Sequence, residues 1–223
     1  MALNKKDFIE IEFTARVRDT QEVFDSNIKK DLENSNLETD TKPFIFALGE
    51  NMFLKGVEDF LLGKEIGKYK IDLEPEQAFG KRDSRLVQIV PMKVFRQQNV
   101  RPIQGAMFNF DGRIAKILSV SGGRVIVDFN NPVSGKAVTY EVNVLRKIED
   151  LNEKIKSFIQ FIFRRDLKFE LKEKELILEV EKEMRQFVEL FAEKFKDIFG
   201  VTMTVKEVGK EINEISKEVN LPQ

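Results

Sequence analysis

The segment "KPFIFALGENMFLKGVEDFLLGKEIGKY" at residues 42–69 decides the fold, because its periodicity changes twice. It begins with the apolar alternation of a half-buried strand, in which Pro43 is tolerated at the first position. Helical spacing then takes over at Phe53, Leu54, Val57, Phe60 and Leu61. Asn51 and Gly63 suit the start and the end of a short helix. A strand that leads directly into a short helix predicts an α+β domain.

Further alternating strands surround this segment. In "FIEIEFTARVR", residues 8–18, Ile9, Ile11, Phe13 and Ala15 share one face. "YKIDLEP" alternates in the same way, and "GKAVTYEVNVLRKIED" is long enough for a central strand. These strands predict a sheet that packs against the short helix.

The composition lacks most side chains that carry covalent or metal chemistry. The 223 residues include no histidine and no cysteine, and the formal net charge is -1. Because the commonest general base, nucleophile and soft metal ligands are absent, we predict neither a metal nor a cofactor. No run approaches the roughly 18 apolar residues of a membrane span, so we expect a cytoplasmic protein without membrane contact.

Residues 81–131 differ from the flanking chain in charge and in turn signals. They contain nine Lys and Arg residues against three Asp residues. The Asp-Gly pair in "FDGR" and the Gly-Gly pair in "SVSGGRVIV" predict two tight hairpins. We interpret this segment as a small all-β insert in the first domain.

The chain beyond residue 150 has a pattern of its own. A helical spacing is followed by the alternating strings "LKFEL" and "LILEV", an apolar stripe from Met184 to Ile198 and the strand-like "VTMTV". This α-β-β-α-β order predicts a separate mixed domain. Ile212, Ile215 and Val219 then repeat at helical spacing, so the tail could dock or could pair with a second subunit in a homodimer.

Four separated strings occur in an order that is typical of one protein family. They are "VFDSN", the segment at 42–69, "EQAFGKRD" and "TYEVNVLRK". With them the chain resembles an FKBP-type peptidyl-prolyl cis-trans isomerase. "VDFNNPVSGKAV" resembles the string that closes the insert in the flap of SlyD-like and archaeal long-type members.

The resemblance implies three domains. An FKBP-like antiparallel sheet wrapped on a short helix would occupy residues 1–83 and 132–150, the insert 84–131, and an extra mixed domain 151–223. It also implies a pocket for proline-containing polypeptides. The implied lining residues are Phe13, Phe24, Asp25, Phe44, Phe53, Leu54, Val57, Phe79 and Tyr140.

Several positions of this implied pocket depart from the family pattern. Val57 would form the floor, where short members often carry Trp, and Phe13 stands where Tyr is usual. Asn131 stands where the closing string usually has His. The resemblance also implies that the backbone N–H of Leu54 binds a substrate carbonyl. A pocket with fewer hydroxyl groups than in other members follows from these departures.

A hydrophobic pocket suits a reaction that needs no nucleophile. Rotation about an X-Pro bond is opposed by about 18 to 20 kcal/mol, because the twisted amide loses its resonance. The planar imide is the more polar species, so a dry aromatic pocket favours the twisted form. We therefore predict an isomerase that assists folding, with a non-catalytic holdase or scaffold as the alternative.

Two alternatives to pocket roles remain open in the sequence. Clustered aromatic residues are commonly core, and we assign Phe46, Leu48 and Phe60 to the core for that reason. Asp25 could interact with the twisting carbonyl or hold the pocket by hydrogen bonds. It could also be an ordinary turn residue, since "FDSN" is turn chemistry.

The insert offers a second candidate surface. Its apolar residues are too numerous for so small a segment to bury, which predicts an exposed patch for unfolded polypeptides. The predicted patch consists of Leu86, Ile89, Val90, Val94, Phe95, Met107 and Phe108. The resemblance agrees, because such inserts act as chaperone modules; an ordinary small β core is the alternative. The basic excess could contact RNA, for example on a ribosome, although a solvated face is the commoner meaning of such charge.

Overall fold

The computed structural model describes residues 2–33, 39, 41–110 and 112–208. These residues form two units, one ending at Lys147 and the other beginning at Ile148. A five-stranded and a four-stranded sheet lie in the first unit, and a three-stranded sheet lies in the second. The predicted mixed α/β class with antiparallel sheets is confirmed. The predicted tail spacing of Ile212, Ile215 and Val219 lies outside the described residues.

The first unit contains nine strands and three short α-helices among the described residues. In chain order they are β1 (Phe8–Val17), β2 (Val23–Ser26), α1 (Lys29–Leu32), β3 (Phe44–Ala47), α2 (Lys55–Leu61), β4 (Gly67–Leu73), β5 (Val87–Pro91), α3 (Met92–Gln97), β6 (Met107–Phe110), β7 (Arg113–Ser121), β8 (Arg124–Asp128) and β9 (Val138–Lys147). Short 3₁₀ turns at Pro75–Gln77 and Ser84–Leu86 connect β4 to β5.

The first sheet has the strand order β2-β1-β9-β4, and β3 pairs with the other end of β1. All of these pairs are antiparallel, and β9 is central as its length predicts. The apolar face of β1 is buried, with Ala15 fully so. Helix α2 buries Val57 and Leu61. Gly56 lets α2 approach the next loop, because a Cβ there would lie 2.4 Å from the carbonyl oxygen of Gln77.

The insert sheet has the order β5-β8-β7-β6, and both predicted hairpins are present. Gly122 and Gly123 have φ values of 56° and 78°, which the turn between β7 and β8 requires. The prediction that the insert is all-β is wrong, because α3 covers one face of the sheet. Phe95 is buried from this helix, and Asn99 ends it in the left-handed conformation with a φ of 54°.

The second unit contains α4 (Leu151–Phe163), β10 (Phe169–Lys172), β11 (Glu175–Glu181), α5 (Arg185–Glu189), α6 (Ala192–Phe199) and β12 (Thr202–Val208). Strand β11 pairs antiparallel with β10 and parallel with β12. The single second helix of the predicted α-β-β-α-β order is wrong, because the structure divides it into α5 and α6. None of the helices in the described part of the chain has the length and apolar character of a membrane span.

The backbone divides this helix at Phe191, whose φ of -94° and ψ of 1° lie outside the α-helical range, and aromatic residues of both segments contact α4. Phe163 contacts the rings of Phe187 and Phe191, with centroid distances of 6.0 and 5.4 Å. Phe158, more than one turn earlier on α4, contacts Phe195 at 5.2 Å. Phe187 on α5 and Phe195 on α6 therefore both place their rings against α4.

Candidate active site

The register of the first sheet places Asp25 and Tyr140 on either side of Ala15. Ala15 pairs with Asp25 on β2 and with Tyr140 on β9. Residues that lie directly opposite in an antiparallel pair point to the same face, so these three share one face with Phe13, two residues earlier on β1. The small side chain of Ala15 fills little of the space between its two neighbours. Asp25 lies in strand β2, so the turn alternative for this residue is wrong.

The aromatic residues of the predicted pocket are in mutual contact, and Tyr140 is at their centre. Its ring centroid lies 5.8 Å from Phe53, 6.0 Å from Phe24 and 6.1 Å from Phe13. Phe79 continues the cluster beyond Phe24, with a centroid distance of 5.6 Å. Several of these contacts are edge-to-face, the arrangement that the charge distribution of aromatic rings favours.

Phe44 completes the set at the other end, where its ring lies 5.8 Å from that of Phe53. The structure therefore brings together all six predicted aromatic residues, which come from distant parts of the chain. Phe46 stacks on both Phe44 and Phe53 but is fully buried, as the core assignment predicts.

Burial distinguishes the floor of this cluster from its rim. Val57 is fully buried, and Phe13 and Tyr140 are 6% and 2% exposed. The remaining predicted members are only half-buried, namely Phe24, Asp25, Phe44, Phe53, Leu54 and Phe79. The cluster is thus closed beneath and open above, as a pocket requires.

Two other core assignments have different outcomes. Leu48 is fully buried as predicted. The assignment of Phe60 is wrong, because its side chain is 36% exposed. It lies edge-on to Tyr69 at 6.0 Å and carries the Lys64 ammonium 5.0 Å from its centroid.

Asn27 holds the backbone of Phe13 at the point of β1 that lies between its pairing with β2 and its pairing with β3. Its side-chain oxygen accepts a hydrogen bond from the Phe13 N–H at 2.7 Å. Its amide nitrogen donates to the carbonyl oxygens of Ile11 at 3.0 Å and Lys42 at 3.1 Å. One buried side chain therefore replaces the strand partner that β1 lacks at this point. Sequence reasoning did not identify Asn27, and its only signal is a polar residue directly after a strand.

Glu58 orders the loop that carries Phe53. Its Oε2 accepts hydrogen bonds from the N–H groups of Gly49 and Asn51 at 2.7 and 3.2 Å, and its Oε1 accepts one from Phe53 at 2.7 Å. The residue is 1% exposed, so these bonds replace the water that a carboxylate would otherwise need. Sequence reasoning missed Glu58 too. Its signal is a charge on the apolar stripe of α2, four residues after Leu54 and three before Leu61.

The electrostatics of the pocket centre on Asp25 and Tyr140. Burial raises the pKa of the Asp25 carboxyl, and a hydrogen bond with the Ser26 backbone opposes that rise. Burial also raises the pKa of the Tyr140 phenol far above its usual range, and the nearby Asp25 charge raises it further. The phenol is therefore neutral and can donate a hydrogen bond.

The Tyr140 hydroxyl is accessible and has no hydrogen-bond partner among the described residues. Within the same part of the chain, no fully buried side-chain oxygen or nitrogen lacks a partner. The small exposed fraction of Tyr140 must therefore include its hydroxyl oxygen. A neutral donor without a partner among the described residues is therefore accessible on the ring that three other aromatic residues contact.

Phe79 connects the pocket to the base of the insert. Its carbonyl oxygen accepts a hydrogen bond from the Ser134 hydroxyl at 3.0 Å. Next to it, Asn130 bonds the backbone N–H and carbonyl of Asp83 at 2.8 and 2.9 Å. Arg82 pairs with Asp128 at 2.6 Å. These bonds join the two chain segments that enter and leave the insert.

The predicted patch of the insert divides into buried and exposed members. Phe95 is 1% exposed and lies at the centre of the insert core, and Val90 and Phe108 pack against it. The prediction that Phe95 contributes exposed surface is wrong, because α3 turns it inward. Leu86 and Val94 are half-buried. Ile89 and Met107 are 63% and 45% exposed.

Comparison with known proteins gives the family. A family model described as FKBP-type peptidyl-prolyl cis-trans isomerase matches residues 1–96, and one described as FKBP26, IF domain, matches residues 88–133. The chain is 30% identical over 149 residues to the FKBP-type isomerase SlyD of Helicobacter pylori, covering 65% of this chain and 75% of that protein.

Two further relatives lack the SlyD name. The FKBP-type 16 kDa peptidyl-prolyl cis-trans isomerase of Escherichia coli is 34% identical over 110 residues, which cover 47% of this chain and 73% of the relative. The short-type peptidyl-prolyl cis-trans isomerase of Methanocaldococcus jannaschii is 27% identical over 146 residues, or 64% of this chain and 92% of the relative. This chain belongs to the family of FKBP-type peptidyl-prolyl cis-trans isomerases. Within that family it is SlyD-like, and the predicted enzyme class is confirmed.

Proposed function

We propose that the aromatic cluster around Tyr140 is where X-Pro bonds rotate, and that the insert holds unfolded segments of the same polypeptide. The observation that carries the first part is a connected cluster of six aromatic rings, in which Tyr140 contacts three others and carries a hydroxyl with no partner among the described residues. The second part is supported by the exposed apolar residues of the insert.

The rings act by excluding water from the imide. Water stabilises the planar imide more than the twisted one, so its removal lowers the rotational barrier. A thousandfold acceleration requires only about 4 kcal/mol of such preference. The fully buried Val57 and the rings around it provide a dry site of this kind, and the reaction needs no nucleophile.

Two polar groups orient the X-Pro bond of the bound substrate. The Leu54 N–H, at the start of α2, donates to no acceptor among the described residues and is suited to hold a substrate carbonyl. We assign to the Tyr140 hydroxyl a hydrogen bond to the imide nitrogen. A planar amide nitrogen is a poor acceptor because its lone pair is delocalised, so this bond strengthens only as the bond twists.

The test is the rate of cis-trans exchange in a short X-Pro peptide, followed by NMR with catalytic amounts of protein. The wild type should accelerate exchange, and Phe79→Ala should reduce that acceleration by opening the rim. Tyr140→Phe should lower kcat about tenfold with little change in KM, the loss of one hydrogen bond made in the transition state.

The chain provides a matched control for this substitution. Tyr69 is its other tyrosine, and its hydroxyl donates to the Glu65 carbonyl at 2.7 Å, outside the pocket. Tyr69→Phe should leave exchange unchanged. If Tyr140→Phe also leaves it unchanged, the role of the hydroxyl is wrong while the pocket stands. If the wild type gives no acceleration, the pocket assignment itself is wrong.

The role of the insert is tested with two substrates. In Ile89→Ser combined with Met107→Ser, isomerisation of the short peptide should persist, because neither residue lies in the pocket. Refolding of an unfolded protein limited by proline isomerisation should slow, because the chain is no longer held beside the pocket. Equal losses on both substrates would contradict this division of roles.

A further inference from the structure

The insert sheet has one covered face and one open face. Inward-pointing Val125 and Val127 on β8 and Ala115 and Ile117 on β7 pack with Phe95 from α3. Because side chains alternate along a strand, Ile126 and Ile114 point to the opposite face. Ile114 is 59% exposed there. An exposed face of an antiparallel sheet is normally polar, so these apolar residues are unusual.

Strand register gives the arrangement of this open face. Ile89 on β5 lies directly opposite Ile126 on β8, and Met107 on β6 lies directly opposite Lys116 on β7. Lys116 is also two residues from Ile114 on the same side of β7. The open face, defined as Ile89, Met107, Ile114, Lys116, Arg124 and Ile126, therefore mixes exposed apolar side chains with two cations.

The two cations of the open face are not neutralised within the described residues. Neither Lys116 nor Arg124 has an ion-pair partner there, and both are exposed. Asp128, which shares this face, is instead paired with Arg82 at 2.6 Å. The surrounding residues 81–131 hold nine Lys and Arg residues against three Asp residues, whereas the whole chain has a net charge of -1.

The spacing of the two cations fits an extended partner. Lys116 lies level with Asp128, which is four residues along β8 from Arg124. At about 3.4 Å per residue, the two charges are separated by about 14 Å along the strand direction. An extended chain with acidic residues four positions apart presents both on one side, with an apolar side chain between them.

We propose that the open face binds extended polypeptide segments that combine apolar with acidic side chains. The proposal rests on the proposed chain-binding role of the insert and specifies the class of segment that it takes. Apolar contact with Ile89, Met107 and Ile114 supplies affinity, and the charges of Lys116 and Arg124 select the sequence. RNA is a different partner for the same charges, and it becomes an outcome of the test.

The test measures binding of short proline-free peptides to the full chain by fluorescence anisotropy. The peptides differ at only two positions, one lying two residues before a central apolar residue and the other two residues after it. Both positions carry Glu, Gln or Lys. The Glu peptide should bind about tenfold more tightly than the Gln peptide at low salt, and the Lys peptide should bind most weakly.

The variants use a matched pair of charge reversals. Lys116→Glu with Arg124→Glu should remove the preference for the Glu peptide and favour the Lys peptide. Lys93→Glu with Arg96→Glu makes the same charge change on α3, outside the open face, and should preserve the order of the three peptides. Short X-Pro peptide isomerisation should be unchanged in both variants.

Each contrary outcome has a separate meaning. If all three peptides bind equally well, the charge preference is wrong while chain binding by the insert stands. If no peptide binds, the proposed role of the insert is wrong as well. If both charge-reversed pairs lose the preference equally, the open face is not the site. If single-stranded RNA displaces the Glu peptide and binds more tightly than that peptide does, the surface is a nucleic-acid site.

Discussion

The two sheets of the first unit both carry apolar side chains that are not fully buried, but they enclose them differently. In the first sheet, α2 closes the apolar face, and the aromatic rings that remain accessible contact one another around Tyr140. In the insert, α3 closes one face and leaves Ile89 and Ile114 exposed on the other. Enclosure creates a dry site that can favour a less polar state of a bound group. An open face leaves its side chains accessible, which suits the proposed binding of extended polypeptide segments.

The largest effect that sharpens this contrast is expected at the centre of the insert. Phe95→Ala should destabilise the insert by about 3 to 5 kcal/mol, because it empties a fully buried aromatic position. Val94→Ala, at the half-buried neighbouring position on α3, should cost much less. Chemical denaturation followed by amide NMR would report the two sheets separately.

The result also shows whether the two sheets are independent. Short X-Pro peptide isomerisation should survive in Phe95→Ala at temperatures where the insert loosens. If the pocket loses its activity in parallel with the insert, the bonds of Asn130 and Ser134 at the junction couple the sheets into one cooperative body.

The next largest effect is expected from the carboxylate that orders the pocket loop. Glu58→Ala leaves three backbone N–H groups without their acceptor, and we expect a loss of about 3 kcal/mol in the free energy of unfolding. Short-peptide isomerisation should fall too, because Phe53 loses its anchor. Urea denaturation and NMR exchange measure the two effects.

Asp59→Ala is the matched control on the same helix. It removes only the exposed pair with Lys55, so its effect should stay within about 0.5 kcal/mol. A Glu58→Ala variant as stable as Asp59→Ala would show that the loop orders itself without Glu58. The closure of the pocket would then come from its rings alone.

Much of the first sheet follows from sequence because its signals are local. The alternation at Ile9, Ile11, Phe13 and Ala15 needs no knowledge of distant partners, and the same is true of the glycine pair at residues 122–123 in the insert. The implied lining of the pocket depends on the family resemblance, and the structure brings its rings together. Asn27 and Glu58 could not be predicted, because a polar side chain reveals its backbone partners only when the loops are placed.

The insert shows the opposite limit of sequence reasoning. Ile89, Phe95 and Met107 are all apolar, and their types alone do not separate a buried from an exposed position. Phe95 belongs to the core because it lies on helix α3. This helix is only six residues long, so its periodicity is too short to predict a helix from the sequence. The exposed positions become recognisable only from the register of the sheet.

A smaller effect concerns the charge inside the enclosed site, and its sign depends on pH. Burial raises the folded-state pKa of Asp25 above its unfolded value of about 3.9. The folded state then holds this proton more strongly, so the contribution of Asp25 to stability falls as pH rises from about 4 through the folded pKa.

Asp25→Asn removes this titration. Relative to the wild type, the variant should gain stability at pH 7, and the gain should disappear near pH 4. Guanidinium denaturation across this range checks the difference. A gain that is equal at both pH values would show that the carboxylate is not desolvated, and the pocket would be less dry than its burial indicates.

The smallest effect tests whether the apolar surface of the open face has any structural purpose. Ile89→Ser should change the free energy of unfolding by no more than about 0.5 kcal/mol, because a side chain that is 63% exposed contributes little burial. Val125→Ser, on the covered side of the same sheet, should be strongly destabilising because it places an unpaired hydroxyl in the core. Thermal unfolding of the two variants compares the faces directly.

If Ile89→Ser costs as much as Val125→Ser, then Ile89 is buried in solution and the open face is not open, which would remove the basis for chain binding there. If Ile89→Ser has no structural cost, the folded chain does not require this hydrophobic side chain for its stability, as the proposed chain-binding role predicts.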